Sequence, residues 1–226
     1  MDEQEKRLEI KAIGPIAAKD YILAWLKSDN LFFYERYPKR RVNNIYFDTY
    51  DLYTYEENLS GISRRAKIRL RWYGDLLFPQ IATLEYKIKR NRFGKKIKFP
   101  INFLDDPIAL NELVNHINQS LPETDKELLN QYPYPVLLNT YVRHYFESRI
   151  VDLRVTVDEA YQVFDQRYDK FLNLTRDSKL LPQTLVVEFK FPKGSYDQVK
   201  HFLNRCPLRI SRHSKYVNGV RSLYMY

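Results

Sequence analysis

The sequence predicts an α+β chain built on an antiparallel β-sheet that closes into a barrel, with a charged lumen and peripheral helices. Three observations point there. The recognisable strands alternate charged and apolar residues, they come in hairpins, and amphipathic helices are scattered between them. The clearest strand is Lys67-Ile68-Arg69-Leu70-Arg71-Trp72-Tyr73-Gly74. Successive side chains of a strand point to opposite faces, so Lys67, Arg69 and Arg71 form a cationic row and Ile68, Leu70 and Trp72 an apolar one. The pattern recurs. Glu9 and Lys11 share a side in 8–11, Glu85, Lys87 and Lys89 share one in 84–89, and Glu188 and Lys190 oppose Val187, Phe189 and Phe191. A sheet of about eight such strands can close on itself.

In chain order, residues 7–13 read as a strand broken by Gly14-Pro15, and 16–26 as an amphipathic helix with Pro15 where a missing N–H is harmless. A strand follows at 42–47. Asp48 or Thr49 caps a helix over 50–59 that stops at Gly61. Strands at 65–73, 82–89 and 95–99 come next, the last two joined by a hairpin loop at 91–94. Helices are expected at 107–121, capped by Asp105 or Asp106, and at 123–129. Segments 136–147 and 150–157 form a hairpin turning at Ser148-Arg149, and 161–180 is an irregular strand and loop. A strand at 185–191, a helix at 195–203 and a last helical piece at 213–220 complete the chain. There is no internal repeat and no linker, so residues 1–226 are expected to form one domain.

Composition bounds the function. The 226 residues carry 44% hydrophobic side chains, with 19 tyrosines and 13 phenylalanines, enough to build a core. Six glycines and eleven prolines, with no low-complexity tract, leave no room for a long disordered segment. A net charge of +9 calls for an acidic partner: nucleic acid, an anionic membrane or a phosphorylated substrate. The single cysteine, Cys206, excludes an internal disulfide and reads as a core filler. The charged N-terminus has no apolar signal core, and no window approaches the roughly 18 apolar residues of a membrane span. A cytoplasmic protein is expected, peripheral at a membrane only through a separate membrane protein.

An ordinary half-exposed sheet would turn its charges to water. Two features weigh against that here. The charged rows are nearly all cationic, whereas solubilising faces interleave signs. The apolar rows also need a cover, which the helices at 16–26, 107–121 and 195–203 can supply. The charges would then line the interior, which is tolerable only if it is wet and holds an anion. Guanidinium forks match phosphate oxygens, and a few glutamates suit Mg²⁺ or Mn²⁺ beside a phosphate.

Several motifs resemble the VTC domain, the polyphosphate-polymerase branch of the triphosphate tunnel metalloenzymes, in its stand-alone bacterial form. Arg69-Leu70-Arg71-Trp72-Tyr73-Gly74 resembles its signature strand, and Tyr46-Phe47-Asp48 the strand before its first long helix. Leu84-Glu85-Tyr86-Lys87 resembles the Glu-x-Lys strand, and Tyr141-Val142-Arg143 with Arg154 the paired-arginine hairpin. Val187-Glu188-Phe189-Lys190 is similar to the metal-binding strand, and Ser211-Arg212-His213-Ser214-Lys215-Tyr216 to the closing element. These stand in the family's order from about residue 7 to 220. Hydrolases and cyclases of the superfamily carry Glu-x-Glu-x-Lys on the first strand. Arg7 stands at that first glutamate here, which tilts toward the polymerase branch.

The resemblance implies phosphate clamps at Arg69, Arg71, Arg143 and Arg154, with Lys11, Lys87 and Lys215 neutralising further charge. For Arg7, Lys67, Lys89, Lys96 and Lys190 a solvated rim is an equal alternative to phosphate contact. Glu188 is implied as the ligand of Mn²⁺ or Mg²⁺, with Glu9 or Glu85 assisting or pairing with a lysine. Tyr141 and Ser214 are implied as hydrogen-bond donors to phosphate. The implied reaction moves the γ-phosphate of ATP onto inorganic polyphosphate. It needs alignment and charge neutralisation more than a base. None of His116, His144, His201 and His213 has metal-ligand spacing, and no Walker-type loop exists. The alternatives are a non-catalytic polyphosphate binder, an inorganic triphosphatase of the same fold, and a nucleic-acid binder. The last is disfavoured because Trp72, Tyr86, Phe189 and Phe191 fall opposite the cations, away from any stacked base.

Overall fold

The computed structural model describes residues 7–75, 79–90, 93–103, 108–174, 179–180 and 183–224. The expected loop at 91–94 and the Asp105 or Asp106 cap lie wholly or partly outside them. Among the described residues ten strands and six helices follow one another: β1 Arg7–Pro15, α1 Lys19–Ser28, β2 Phe33–Asp48, α2 Tyr53–Leu59, β3 Arg64–Tyr73, β4 Ile81–Arg90, β5 Phe93–Asn102, α3 Leu110–Gln119, α4 Glu123–Gln131, β6 Tyr134–Ser148, β7 Arg154–Asp165, β8 Lys179–Leu180, β9 Thr184–Pro192, α5 Tyr196–Asn204, β10 Arg209–Ile210 and α6 Lys215–Tyr224. β2 is much longer than the 42–47 expected. α1 starts at Lys19 because Pro15 leads first into a short 3₁₀ turn at Ile16–Ala18.

The α+β class stands, but the closed barrel does not. The strands form an open ladder in the order β10-β1-β9-β7-β6-β2-β3-β4-β5, with β8 beside β7. Among the described residues β10 and β5 end the ladder and do not pair with each other. The end strands give a physical reason. β10 is two residues long. β5 carries exposed Lys95 and Lys98 and Pro100, features that resist further pairing of an edge.

Contacts divide the chain into two compact units. The first comprises Met1–Arg40, Tyr141–Tyr161 and Pro182–His213, the second Arg41–Thr140, Gln162–Leu181 and Ser214–Tyr226. In the first unit, β1 lies antiparallel to β9 with Lys11 opposite Glu188 and Glu9 opposite Lys190. The alternate residues Phe189 and Phe191, with Val155 and Val157 of β7, pack under α1 and α5 through Ile22, Leu26, Val199 and Phe202. Trp25 stacks on Phe202 at 4.4 Å between ring centres. In the second unit, Ile68, Leu70, Trp72, Leu84 and Tyr86 are buried beneath Leu110, Leu113, Val114 and Ile117 of α3 and Leu129 of α4. Burying each such side chain stabilises by about 1.5–3 kcal/mol. In each unit, therefore, helices cover the apolar side of the strands, as the alternation requires.

α2 begins at Tyr53 rather than at residue 50, and its N-cap position is Leu52 at φ 59°, which offers no side-chain cap. Asp48 and Thr49 meet the first-turn N–H groups from further back in the chain. Asp48 Oδ1 accepts from Thr54 N–H at 2.8 Å, Oδ2 from Tyr55 N–H at 3.2 Å, and Thr49 Oγ1 from Tyr53 N–H at 2.9 Å. Gly61, at φ +69°, ends the helix, and Ile62 N–H returns to Glu57 O.

Candidate functional site

In the second unit, register places Arg69 opposite Glu85 and Tyr46, and Arg71 opposite Asn44. Arg69 donates from Nε and Nη2 to Glu85 Oε2 at 2.7 and 2.5 Å. Lys96 Nζ reaches Glu85 Oε1 at 2.8 Å, and Arg71 Nη1 approaches it at 3.7 Å. Three cations thus surround one carboxylate. Burial pushes the Glu85 carboxyl up, but Arg69, Arg71 and Lys96 together pull it down to about 2. Burial, opposed by Glu85 and reinforced by the two arginines, brings the Lys96 ammonium down to about 8. Arg71 also donates from Nε to Asn44 Oδ1 at 2.8 Å, and Asn44 in turn to Asn139 Oδ1 at 2.9 Å. Asn139 Nδ2 is left buried without a partner among the described residues. A donor so placed beside an excess of positive charge suits an anion.

The same strands carry a second row. Lys67 lies opposite Lys87, and Lys87 opposite Lys96, so like charges face each other across β3, β4 and β5. Such pairs destabilise a sheet unless an anion sits over them. Lys67 donates to Ser214 Oγ at 2.9 Å, and Ser214 also caps α6 by accepting from Val217 N–H at 3.4 Å. Lys215 is half-buried at the start of α6, Lys87 is exposed and Lys89 half-buried.

In the first unit, Glu9, Lys11, Glu188 and Lys190 form a square of alternating charge. Lys11 Nζ lies 2.8 Å from Glu9 and 3.5 Å from Glu188. Lys190 pairs with Glu188 and stands 3.8 Å from Glu9. Burial works against the Lys11 charge, but Glu188 and Glu9 outweigh it and raise its pKa. Nearby on the hairpin, Arg143 forks onto buried Asp158 through Nε and Nη2 at 2.6 and 2.7 Å, and its guanidinium lies over the Tyr141 ring. Tyr161 O–H donates to the same carboxylate at 3.2 Å. Arg154 is separate: its side chain is 58% exposed and is held by Glu147 at 3.2 Å. Arg7 pairs with Asp152 at 2.7 Å on the exposed rim.

The structure thus brings Arg69, Arg71 and Lys96 together on Glu85, and Lys11 and Lys190 together on Glu9 and Glu188. Arg143 and Arg154 each hold a different carboxylate. Asn44, Asn139 and Asp158 escape a sequence reading because single amides and carboxylates carry no periodic signal. His116 bonds Asn102 O at 2.9 Å, and His144 bonds Glu159 at 2.9 Å, both structural roles.

Among the described residues, no three His, Cys, Asp or Glu side chains gather as a metal site. A hard divalent cation that keeps waters and shares a phosphate needs only one or two carboxylates. Glu9 and Glu188 on neighbouring strands fit that requirement. Glu85 fits it less well, since three cations already hold it.

Among the described residues, no helix is long and apolar enough to cross a membrane. A search of curated proteins gives no match. Solved structures resemble the chain, among them the PH1819 protein from Pyrococcus horikoshii OT3, 14% identical, with a TM-score of 0.47 over 93% of this chain and 96% of that one. Another is a Hippeastrum protein described as an adenylyl cyclase candidate with a dominant triphosphatase activity. It is 11% identical, with a TM-score of 0.51 over 92% of this chain and 93% of that one, a likeness of fold. The profile of the VTC domain matches residues 8–224, and by that match over nearly its whole length the chain belongs to the VTC-domain family.

Proposed function

We propose that the chain is a metal-dependent phosphotransferase that moves the γ-phosphate of ATP onto inorganic polyphosphate. One observation carries the reading: in each unit helices cover the apolar side of the strands, leaving a cationic side whose carboxylates are outnumbered or fully engaged by Arg and Lys. Around Glu85, where three cations share one carboxylate, polyanionic phosphate would supply the missing negative charge.

In the transfer, a terminal oxygen of the polyphosphate forms a bond to the γ-phosphorus, and the bond to the β–γ bridging oxygen breaks. ADP leaves with that electron pair. The attacking oxygen is already ionised at neutral pH, so no general base is required. Arg69 and Arg71, held by Glu85 and Asn44, would grip phosphate oxygens with their remaining N–H donors. Lys96 and Lys87 would neutralise further charge. Lys11 and Lys190 would release part of their hold on Glu9 and Glu188 when phosphate arrives. When bound at those two carboxylates, a divalent cation supplies Lewis-acid charge to the phosphate oxygens. Trp72, Tyr86, Phe189 and Phe191 are buried under helices, which speaks against base stacking on a nucleic acid there.

The test is to incubate the purified protein with ATP and Mn²⁺ and to follow ADP together with long anionic polymer on a gel. ADP with polymer supports the transferase. Inorganic phosphate without polymer makes the protein a triphosphatase. Tripolyphosphate binding without turnover makes it a binder.

A further inference from the structure

We infer that the first unit holds a seat for the nucleobase and ribose of a nucleoside triphosphate, in the groove between β2, β6 and β7. This inference rests on the phosphate reading above and extends it. The groove encloses about 210 Å³ and is lined by Arg36, Tyr37, Tyr145, Glu147, Arg154 and Thr156.

Three features select a nucleoside over a bare phosphate chain. The first is aromatic. Tyr37 and Tyr145 meet edge to face at 5.8 Å, and the Arg40 guanidinium lies 5.1 and 4.9 Å from the two ring centres. Tyr37 remains 47% exposed, so its ring can take a planar base, which stacks readily on an aromatic face beside an arginine. The second is the carboxylate. Glu147 accepts from Tyr34 O–H at 3.0 Å and from Arg154 at 3.2 Å, with Arg36 at 3.5 Å. Tyr34, Arg154 and Arg36 do not use up a carboxylate's about four lone-pair directions, so Glu147 can still accept from a base amine or a ribose hydroxyl, donors that an ionised phosphate chain lacks. The third is Thr156, whose buried Oγ1 has no hydrogen-bond partner among the described residues.

Register ties the groove to the acidic pair. Arg154 lies opposite Lys190, and Thr156 opposite Glu188. Directly opposite side chains stand about 5 Å apart, so a nucleotide based on Tyr37 would extend its phosphates toward Glu188 and Lys190.

The test is calorimetric titration of wild type, Tyr37→Ala and Tyr37→Phe with the β,γ-imido analogue of ATP and, separately, with tripolyphosphate. Tyr37→Ala should weaken the ATP analogue about tenfold, the value of one stacked base, and leave tripolyphosphate unchanged. Tyr37→Phe should restore wild-type affinity for the analogue. Equal losses for both ligands would make the groove a phosphate track, and no loss for either would place the base elsewhere. Both results overturn the seat while phosphate binding stands. A wild type that binds neither ligand overturns the seat and the phosphate reading together.

Discussion

At the scale of single residues, carboxylates decide how much positive charge is left for a ligand. Glu188→Gln keeps the shape but removes half of the acidic pair. ATP turnover should collapse while tripolyphosphate binding survives or tightens, because a repulsive charge has gone. Full activity in this variant would shift the metal to Glu9 or Glu85. Glu85 offers a stability test. Its folded pKa of about 2 is depressed, so its contribution is present above about pH 4.5 and is lost as pH falls from there toward 2. Glu85→Gln should lower stability at neutral pH by about 3 kcal/mol, since the cations around it lose their partner. The melting curves of mutant and wild type should converge near pH 2, and a constant gap down to pH 2 would refute the pairing. Lys96 acts in the opposite range. Burial brings its pKa down to about 8, so it carries its charge below that pH and loses it above. Tripolyphosphate affinity should therefore fall as pH rises through about 8, and Lys96→Gln should abolish that step. Because the Lys96 side chain is 42% exposed, solvent screening softens the effect.

At the scale of elements, the second unit hangs α2 and α6 on one side chain. Asp48 accepts from two N–H groups of α2 and from the Thr54 hydroxyl, and the Tyr216 hydroxyl of α6 donates to it as well. The Tyr216 ring stacks on Tyr46 at 5.1 Å. Burial and the Asp48 charge hold the Tyr216 hydroxyl protonated far above its ordinary range. Asp48→Ala leaves buried donors unmet and should cost about 2–4 kcal/mol, read as a lower melting temperature. Gly219 brings α6 close to β6 and β7: a Cβ there would meet Leu137 at 3.2 Å and Val163 at 3.3 Å. Gly219→Val should displace α6, and with it Ser214 and Lys215, weakening tripolyphosphate binding more than stability alone accounts for. Unchanged affinity would show that α6 only covers the strands.

At the scale of the whole molecule, the net charge of +9 means that folding works against self-repulsion. Millimolar tripolyphosphate should raise the melting temperature by mass action, and the rise should shrink as salt is added. A rise with single-stranded DNA but not with tripolyphosphate would favour the nucleic-acid alternative. The open ladder matters at this scale too, since the short β10 and the lysine-bearing β5 leave edges that discourage pairing with a second chain.

Period-two alternation located most of the strands, though not the first half of β2 or the two-residue β10, and it showed which side of the strands carries the charge, because a residue's face in a strand is fixed by its position. The stretch Lys67–Trp72 already contained the split between Arg69 and Ile68, and Asp48 and Thr49 were readable as partners of a helix start because such bonds are local, although the cap position itself fell to Leu52. Register, which depends on how distant strands align, was decided only in the tertiary structure. It chose Glu85 as the partner of Arg69 and Lys96, gave Asp158 to Arg143, joined Glu9 to Glu188 through two lysines, and set Arg154 apart on Glu147. Closure was likewise beyond the sequence: strand number and alternation permit a barrel, but the length and edge chemistry of the two end strands determine whether the ladder meets itself.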